Sequence, residues 1–254
     1  MSAPERLEID GRQVGAEAAM SIAAGFGHFT AMQVRDGRTR GLALHLARLE
    51  RANRELFGVS LDGERVRTLI RHALGRIVDA SVRVYVFETE AEPATMVTVK
   101  APGGVRSPQR LLSVRYQRPD AHLKHLATEQ GYYTRLAQRQ GFDDALLTDD
   151  GGIVSESATA NIGFFDGAGV VWPDAPMLHG VTMQLLERTL PDRGVPSRRA
   201  TIRLSDIPSF EGAFLSYARG VAVVSGVDDV DLPANGARMR ILEDAYDAVP
   251  WDPI

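Results

Sequence analysis

The most informative stretch of the sequence is residues 152–164, Gly152-Ile-Val-Ser-Glu-Ser-Ala-Thr-Ala-Asn-Ile-Gly-Phe164. Strand-like runs begin at Ile153 and at Asn161, and the Asp- and Gly-rich turn just upstream ends a further predicted strand over residues 144–148. Before that strand, the sequence predicts a helix over residues 125–140, which Lys124 begins. A helix followed by several strands indicates an α+β arrangement in this part of the chain.

The residues on either side add further strands and helices. Upstream, the sequence predicts a hairpin around Asp10-Gly11, a strand from Phe29 to Arg35, helices over 44–57 and 66–74, and strands over 82–87, 96–99 and 111–116. Downstream, it predicts helices over 181–190 and 239–246 and two strand-like pieces around 217–220. Residues 117–120 have the composition of a linker, so we expect an N-terminal α+β subdomain over 1–118 and a C-terminal subdomain over 119–254 that carries Lys124.

Composition limits the class of protein to which the chain can belong. Of its 254 residues, 44% are hydrophobic and 24% are charged, as in a globular protein with a sizeable core, and the formal net charge is -4. This balance provides no basic surface for nucleic acid, and no apolar run has membrane-spanning length. The N-terminus lacks the charged and apolar regions of a secretory signal, so we expect a cytoplasmic protein.

The scarcity of two residue types narrows the chemistry. The chain has no cysteine, which excludes thiolate zinc sites, iron–sulfur clusters, disulfides and a cysteine nucleophile. Among its 29 Lys and Arg residues, only Lys100 and Lys124 are lysine. Arginine can serve surface solvation, whereas a Schiff base needs a primary amine that can lose its proton. Each lysine is therefore a candidate for covalent chemistry.

Several other kinds of active site have no support in the sequence. Gly25 and Gly27 lack the remaining spacing of a Gly-rich nucleotide loop, and no Gly-Lys-Ser/Thr motif is present. His122 and His125 flank Lys124 without carboxylates at ligand spacing, so we expect no metal site. Residues 216–220 do not match the Gly-x-Ser-x-Gly motif of a serine hydrolase.

Lys124 and five motifs in a fixed order resemble a known family. After Lys124 come Gly-Phe-Asp-Asp-Ala-Leu-Leu-Thr-Asp at 141–149, the 152–164 stretch and Leu178-His-Gly-Val-Thr182, with His45-Leu-Ala-Arg-Leu49 upstream and Tyr217-Ala-Arg-Gly220 downstream. This pattern resembles the class IV, fold-type IV pyridoxal phosphate enzymes, which include branched-chain and D-amino-acid aminotransferases, (R)-amine transaminases and aminodeoxychorismate lyase. The resemblance covers most of the chain. It implies an α+β fold of two α/β subdomains with the cofactor between them.

The resemblance also implies roles for individual residues. Lys124 matches the catalytic lysine that forms the Schiff base with pyridoxal 5'-phosphate and then moves a proton. Glu156 matches the carboxylate beside the pyridine nitrogen, where an anion favours the protonated ring. Arg48 matches the phosphate-binding arginine, and Val181 and Thr182 at a helix start offer backbone N–H groups and a hydroxyl to the phosphate.

The chain departs from the family pattern at several positions. The family places a turn at 217 and 218, often with Ser or Thr, that holds the phosphate. Tyr217 and Ala218 occupy these cofactor-binding positions here, so the resemblance does not imply a hydroxyl contact. Thr128 and Glu129 stand where many members have a tyrosine that hydrogen-bonds the cofactor, and Phe29 stands where some D-amino-acid enzymes have an active-site tyrosine.

Transamination in two half-reactions is the activity that the resemblance implies. An amino acid or amine would leave its amino group on the cofactor, and a 2-keto acid would take it. A lyase that releases pyruvate is the alternative, because Lys124-His-Leu126 resembles the local sequence of aminodeoxychorismate lyase; a silent relative that acts as a binding protein is another. The resemblance further implies a homodimer. The sequence leaves the donor, the acceptor and the stereochemical preference open.

Overall fold

The structure is a computed structural model that describes residues 6–15, 25–126 and 129–254. Its residues fall into two compact units. The first unit takes residues up to 104, the segment 123–127 and residues 250–254, and the second takes 105–122 and 128–249. The N-terminal segment of the first unit ends at residue 104, whereas the sequence predicts a boundary at residue 118. Lys124 also lies in the first unit, whereas the sequence predicts it in the C-terminal subdomain.

An antiparallel sheet and two helices make up most of the first unit. Its elements are β1 (Arg6–Ile9), β2 (Arg12–Gln13), β3 (Gly27–Val34), β4 (Arg38–Arg40), α1 (Leu42–Phe57), α2 (Gly63–Leu74), β5 (Ala80–Phe87) and β6 (Ala94–Lys100). Five of these strands form one sheet in the order β2-β1-β6-β5-β3. Strand β4 pairs instead with the C-terminal residues Trp251–Pro253.

The core of the first unit lies between one face of this sheet and the two helices. Burial alternates along β3, where Thr30, Met32 and Val34 are buried and the residues between them are partly exposed. Such alternation is what a strand with one covered face shows. Met32 and Val34 pack with residues of α1 and α2, including Leu49 and Ile70. The predicted helices are confirmed, with starts two or three residues earlier than expected.

A larger sheet forms the second unit. Its strands are β7 (Gln109–Arg115), β8 (Asp144–Thr148), β9 (Val154–Ser157), β10 (Asn161–Phe165), β11 (Val170–Pro173), β12 (Ser197–Ala200), β13 (Gly212–Tyr217), β14 (Gly220–Val227) and β15 (Val230–Asp231). Their order is β12-β11-β10-β13-β14-β7-β8-β9, with β15 paired to β14. Strands β8 and β10 are buried on both faces, as expected where a sheet is covered by helices or by other chain segments.

Three α-helices accompany this sheet: α3 (Gln130–Arg139), α4 (Val181–Thr189) and α5 (Gly236–Asp247). Helices α4 and α5 pack together through Met183, Leu186, Met239 and Leu242, on the face of the sheet that carries Phe214. The predicted helices over 181–190 and 239–246 are thereby confirmed. No helix in the described ranges has the length and apolar character needed to cross a membrane.

The helix predicted over 125–140 is wrong in its first turn. Helix α3 begins at Gln130. The segment around Lys124 is extended instead: the Phe29 N–H donates to the Lys124 carbonyl (2.9 Å), and the Leu126 N–H donates to the Gly27 carbonyl (3.0 Å). Backbone groups that pair with a neighbouring strand are not available for helical hydrogen bonds. Residues 127 and 128 lie outside the described residues.

Gly27 allows this extra strand pairing. A Cβ at position 27 would lie 2.3 Å from the Val86 carbonyl oxygen and 2.9 Å from both Phe87 Cα and Leu126 Cδ1. The first two of these atoms belong to the backbone, so neighbouring side chains cannot relieve the contact by rotating. The close approach between β3, β5 and the Lys124 segment therefore requires glycine.

We expect Gly27→Ala to lower the free energy of unfolding by about 1–3 kcal/mol, the usual cost of overpacking. Gly104→Ala is the matched control, because nothing lies within 4 Å of a Cβ there. Denaturant titrations of the two variants and the parent protein make the comparison. Equal midpoints for the two alanine variants would contradict the close packing at Gly27.

Candidate active site

Lys124 is held by its main chain and points its amine at an aromatic pair. The carbonyl of Lys124 is tied to Phe29 of β3, and the Lys124 Nζ lies 4.9 Å from the centroid of the Phe29 ring. Phe29 stacks in turn on Tyr85 of β5, with ring centroids 5.5 Å apart. The amine therefore occupies a defined position on the face of the first unit's sheet that lies opposite the helices.

Arg48 is a buried cation on α1. Its Nη2 donates to the Thr30 hydroxyl and lies 3.4 Å from His45 Nδ1. Burial, with a smaller effect of the Arg51 charge, lowers the pKa of Arg48 to about 10, so that it stays charged at neutral pH. Within the described part of the chain, no carboxylate pairs with Arg48. A buried charge without a counter-ion is costly, and an anionic ligand is the simplest compensation for it.

The two histidines beside Arg48 add no charge. Burial, and then the Arg48 charge, hold the pKa of His45 well below its ordinary value. Burial also lowers the pKa of His28 to about 4, with a partial opposing effect of Asn53 and smaller lowering effects of His125 and Arg48. Both imidazoles are therefore neutral at neutral pH, and Arg48 is the charged member of the group.

Glu156 is a buried carboxylate in the second unit, and its partner is Arg118. Arg118 Nη2 and Nε donate to Glu156 Oε1 at 2.9 and 3.1 Å, and the two side chains are only 3% and 5% exposed. The Leu178 N–H lies 3.4 Å from both carboxylate oxygens, and Arg118 also donates to the Ala121 carbonyl. A guanidinium that binds a carboxylate in this way fixes both its charge and its orientation.

The loop before α4 is shaped by Asn161. Its Nδ2 donates to the Leu178 carbonyl (2.6 Å), and its Oδ1 accepts from the Gly180 N–H (3.2 Å). A Cβ at position 180 would lie 2.1 Å from Asn161 Oδ1, so only glycine fits. Helix α4 then begins at Val181 without a side-chain cap. The N–H groups of its first turn have no intrahelical partners and point out of the helix, as at many anion sites.

Thr182 and the turn after Tyr217 are joined by a hydrogen bond. The Thr182 hydroxyl donates to the Tyr217 carbonyl at 3.0 Å. Ala218 and Arg219 form the two-residue turn between β13 and β14, in which Tyr217 pairs with Gly220. Burial raises the pKa of Tyr217, whose hydroxyl is 3.5 Å from the Arg106 carbonyl. The Thr182 proton is thus already used, and Ala218 adds no polar side chain.

The structure places the predicted residues in two groups, one in each unit. In the first unit, Lys124 and Arg48 contact the neighbouring residues Phe29 and Thr30 of β3. In the second unit, Thr182 meets Tyr217, and the loop that leads into α4 contacts Glu156. Side chains alternate along a strand, so the Lys124 amine and Arg48 approach β3 from opposite faces.

Sequence reasoning missed three residues that this geometry brings forward. Arg118 lies in the predicted linker, and nothing in the sequence marks it as buried. Thr30 and Asn161 carry only the weak signal that each lies inside or next to a family motif. Thr128, at a position where many family members have a cofactor-contacting tyrosine, lies outside the described residues. Tyr133, near it in sequence, packs on Tyr116 with centroids 4.7 Å apart.

A comparison with protein families gives an extensive match. The chain matches the family amino-transferase class IV from residue 27 to residue 225, which is more than three quarters of its length. The chain belongs to the class IV aminotransferases. The matched range includes Arg48, Lys124, Glu156 and Thr182.

Curated class IV relatives match over a shorter range. A probable branched-chain-amino-acid aminotransferase from Rickettsia felis is 34% identical over 98 residues, which are 38% of this chain and 33% of that protein. The corresponding protein of Rickettsia conorii is 33% identical over the same length. The alignment therefore spans about a third of the length of these relatives.

Solved class IV structures share the fold over nearly the whole chain. A hypothetical aminotransferase from Mycobacterium tuberculosis in its PLP-bound form has a TM-score of 0.85 at 21% identity, with 96% of this chain and 98% of that chain covered. The branched-chain amino acid aminotransferase of Escherichia coli gives a TM-score of 0.84 at 15% identity, with 97% of this chain and 95% of that chain covered. The expected fold-type IV architecture is confirmed.

We expect Arg48→Met to stabilise the ligand-free protein. A pKa near 10 means that the folded state binds the Arg48 proton less tightly than the unfolded state, a penalty on the order of 3 kcal/mol that is full below pH 10 and fades as the pH rises beyond it. At pH 8 the free energy of unfolding of the variant should therefore be higher by about 1–3 kcal/mol, once the lost hydrogen bonds are subtracted. The variant should accordingly unfold at a higher denaturant concentration than the parent protein.

Arg48→Lys is the matched control, because it keeps the charge, and it should show no such gain. Inorganic phosphate should stabilise the parent protein and should not stabilise Arg48→Met. A strongly destabilised methionine variant, or equal stabilisation of both proteins by phosphate, would contradict an anion site at Arg48.

Proposed function

We propose that this chain is a pyridoxal 5'-phosphate-dependent aminotransferase that moves an amino group from an amino acid or amine to a 2-keto acid. The observation that carries the proposal is the position of Lys124. It is one of two lysines in the chain, its main chain is fixed against β3, and its amine lies 4.9 Å from the Phe29 ring. Membership of the class IV family supports the same assignment.

The donor set of the chain fits each polar end of this cofactor. Lys124 provides the primary amine that holds the aldehyde carbon covalently. Arg48, a buried cation without a carboxylate partner in the described residues, suits a phosphate dianion, as do the open N–H groups of Val181 and Thr182. Glu156 offers a buried carboxylate to a protonated ring nitrogen. When bound, pyridoxal phosphate supplies an electron sink for a carbanion at the substrate Cα.

The residues of the chain then divide the work. Lys124 Nζ would act as the general base that takes the proton from the substrate Cα. Arg118 keeps the Glu156 carboxylate in one orientation, so its negative charge stays aimed in a fixed direction. The Phe29 ring, which stacks on Tyr85, covers the Lys124 amine on one side and reduces its contact with water.

The relatives and the sequence suggest the substrates, the assembly and the location. The relatives are named as branched-chain-amino-acid aminotransferases, so leucine, isoleucine and valine are the first donors to test. We infer a homodimer from the family resemblance, and a cytoplasmic location because no apolar run of the sequence has membrane-spanning length. The formal net charge of -4 argues against nucleic acid as a partner. No separate observation favours the pyruvate-releasing lyase.

We expect one amino donor, added alone to the cofactor-loaded protein, to remove the absorbance of the lysine-bound cofactor. The amino group stays on the cofactor after one half-reaction, so the original absorbance should return only when 2-oxoglutarate or pyruvate is added. Stopped-flow or steady-state absorbance with a donor panel makes the measurement. Release of pyruvate from aminodeoxychorismate, with no donor in the panel able to change the spectrum, would replace this proposal with the lyase.

A further inference from the structure

Hydrogen bonds among three buried side chains link β3 to Arg48. The Thr30 hydroxyl lies 2.7 Å from His45 Nδ1 and accepts a hydrogen bond from Arg48 Nη2. Arg48 Nη2 also lies 3.4 Å from His45 Nδ1. Thr30, His45 and Arg48 are 0%, 4% and 7% exposed, so water does not compete for these bonds. His45 and Arg48 stand three residues apart on α1, on the face that packs against β3.

The direction of each of these hydrogen bonds follows from which groups can donate a proton. A guanidinium can only donate, so the Thr30 oxygen must be the acceptor from Arg48. A proton on His45 Nδ1 would face the Arg48 Nη2 donor, which lies 3.4 Å away, so Nδ1 is an acceptor and takes the Thr30 hydroxyl proton. His45 therefore carries its proton on Nε2 and is uncharged. Any other protonation state of His45 would place a second donor or a second positive charge against Arg48.

We propose that Thr30 and His45 are positioning residues that hold the Arg48 guanidinium in the orientation in which it binds the cofactor phosphate. This inference rests on the proposed function for the identity of the anion, but the hydrogen-bonded chain itself does not. A free arginine side chain must lose considerable rotational freedom when it binds a ligand. Arg48 has already lost that freedom, so its binding energy is available for the phosphate.

Thr30 lies next to the residue of β3 that holds the Lys124 segment. Thr30 follows Phe29, whose N–H holds the Lys124 carbonyl. Adjacent residues of one strand thus fix the segment that carries the amine and the cation that meets the phosphate. Because the spacing between adjacent residues of a strand is constant, β3 sets the separation of the two anchoring groups within the first unit. Loss of the Thr30 hydroxyl should loosen the cation without moving Lys124.

The test compares Thr30→Val with Thr30→Ser. Valine keeps the shape of threonine and removes the hydroxyl, whereas serine keeps the hydroxyl. The measurements are the dissociation constants of inorganic phosphate and of pyridoxal phosphate by fluorescence or thermal-shift titration, which do not depend on turnover. Glu156→Gln is the comparator, because it changes the carboxylate of the second unit and leaves the hydrogen bonds to Arg48 intact.

We expect Thr30→Val to weaken the binding of both ligands about 10-fold, on the scale of one lost hydrogen bond to a charged group. Thr30→Ser should stay within about 2-fold of the parent protein. Glu156→Gln should weaken pyridoxal phosphate and leave inorganic phosphate unchanged. Equal phosphate affinities for the valine and serine variants would overturn the inference.

His45 supplies a second pair in case Thr30→Val does not fold. His45→Asn keeps an acceptor near the place of Nδ1, and His45→Leu removes it, so phosphate binding should be weaker in the leucine variant. Equal phosphate binding in these two variants would also overturn the inference. If phosphate binding follows the expected order but the parent protein does not bind pyridoxal phosphate, the positioning role stands and the proposed function fails.

Discussion

The backbone pairing between residues 27–29 and 124–126 is the interaction on which the proposed active site depends. Two hydrogen bonds, Phe29 N–H to the Lys124 carbonyl and Leu126 N–H to the Gly27 carbonyl, add the Lys124 segment to the edge of the first unit's sheet. A lysine on a free loop would sample many positions, and its amine would seldom meet a bound ligand in a productive geometry. Here the strand that orients the lysine also carries Thr30, so the Lys124 amine and the Arg48 cation share one support.

The buried charges of the two units are arranged differently. Arg48 is buried with neutral partners only, so no negative charge among the described residues compensates its positive charge. Glu156 is buried together with Arg118, so its charge is compensated and its orientation is fixed. Pairs of this kind add little net stability, because desolvation offsets their attraction. Orientation is the clearer consequence: Arg118 holds Glu156 in one direction, and Arg48 is left for the anionic ligand that we propose.

Much of the fold follows from the sequence, because apolar spacing and turn residues report local structure directly. The strand over 144–148 and the helix at 181 agree with the structure within one residue. The first turn of the helix expected after Lys124 fails, because pairing with a strand almost a hundred residues earlier overrides local preference. Arg118 could not be found among so many arginines, since burial and choice of partner are properties of the folded chain and not of any single residue.

The most direct test of the central claim is to identify the residue that holds the cofactor. Borohydride reduction of the cofactor-loaded protein makes the link to the amine permanent, and peptide mapping by mass spectrometry then locates it. The chain offers its own internal control, because Lys100 and Lys124 are its only lysines. We expect a pyridoxyl group on the peptide that contains Lys124. Stoichiometric labelling of Lys100, or of neither lysine, would contradict it.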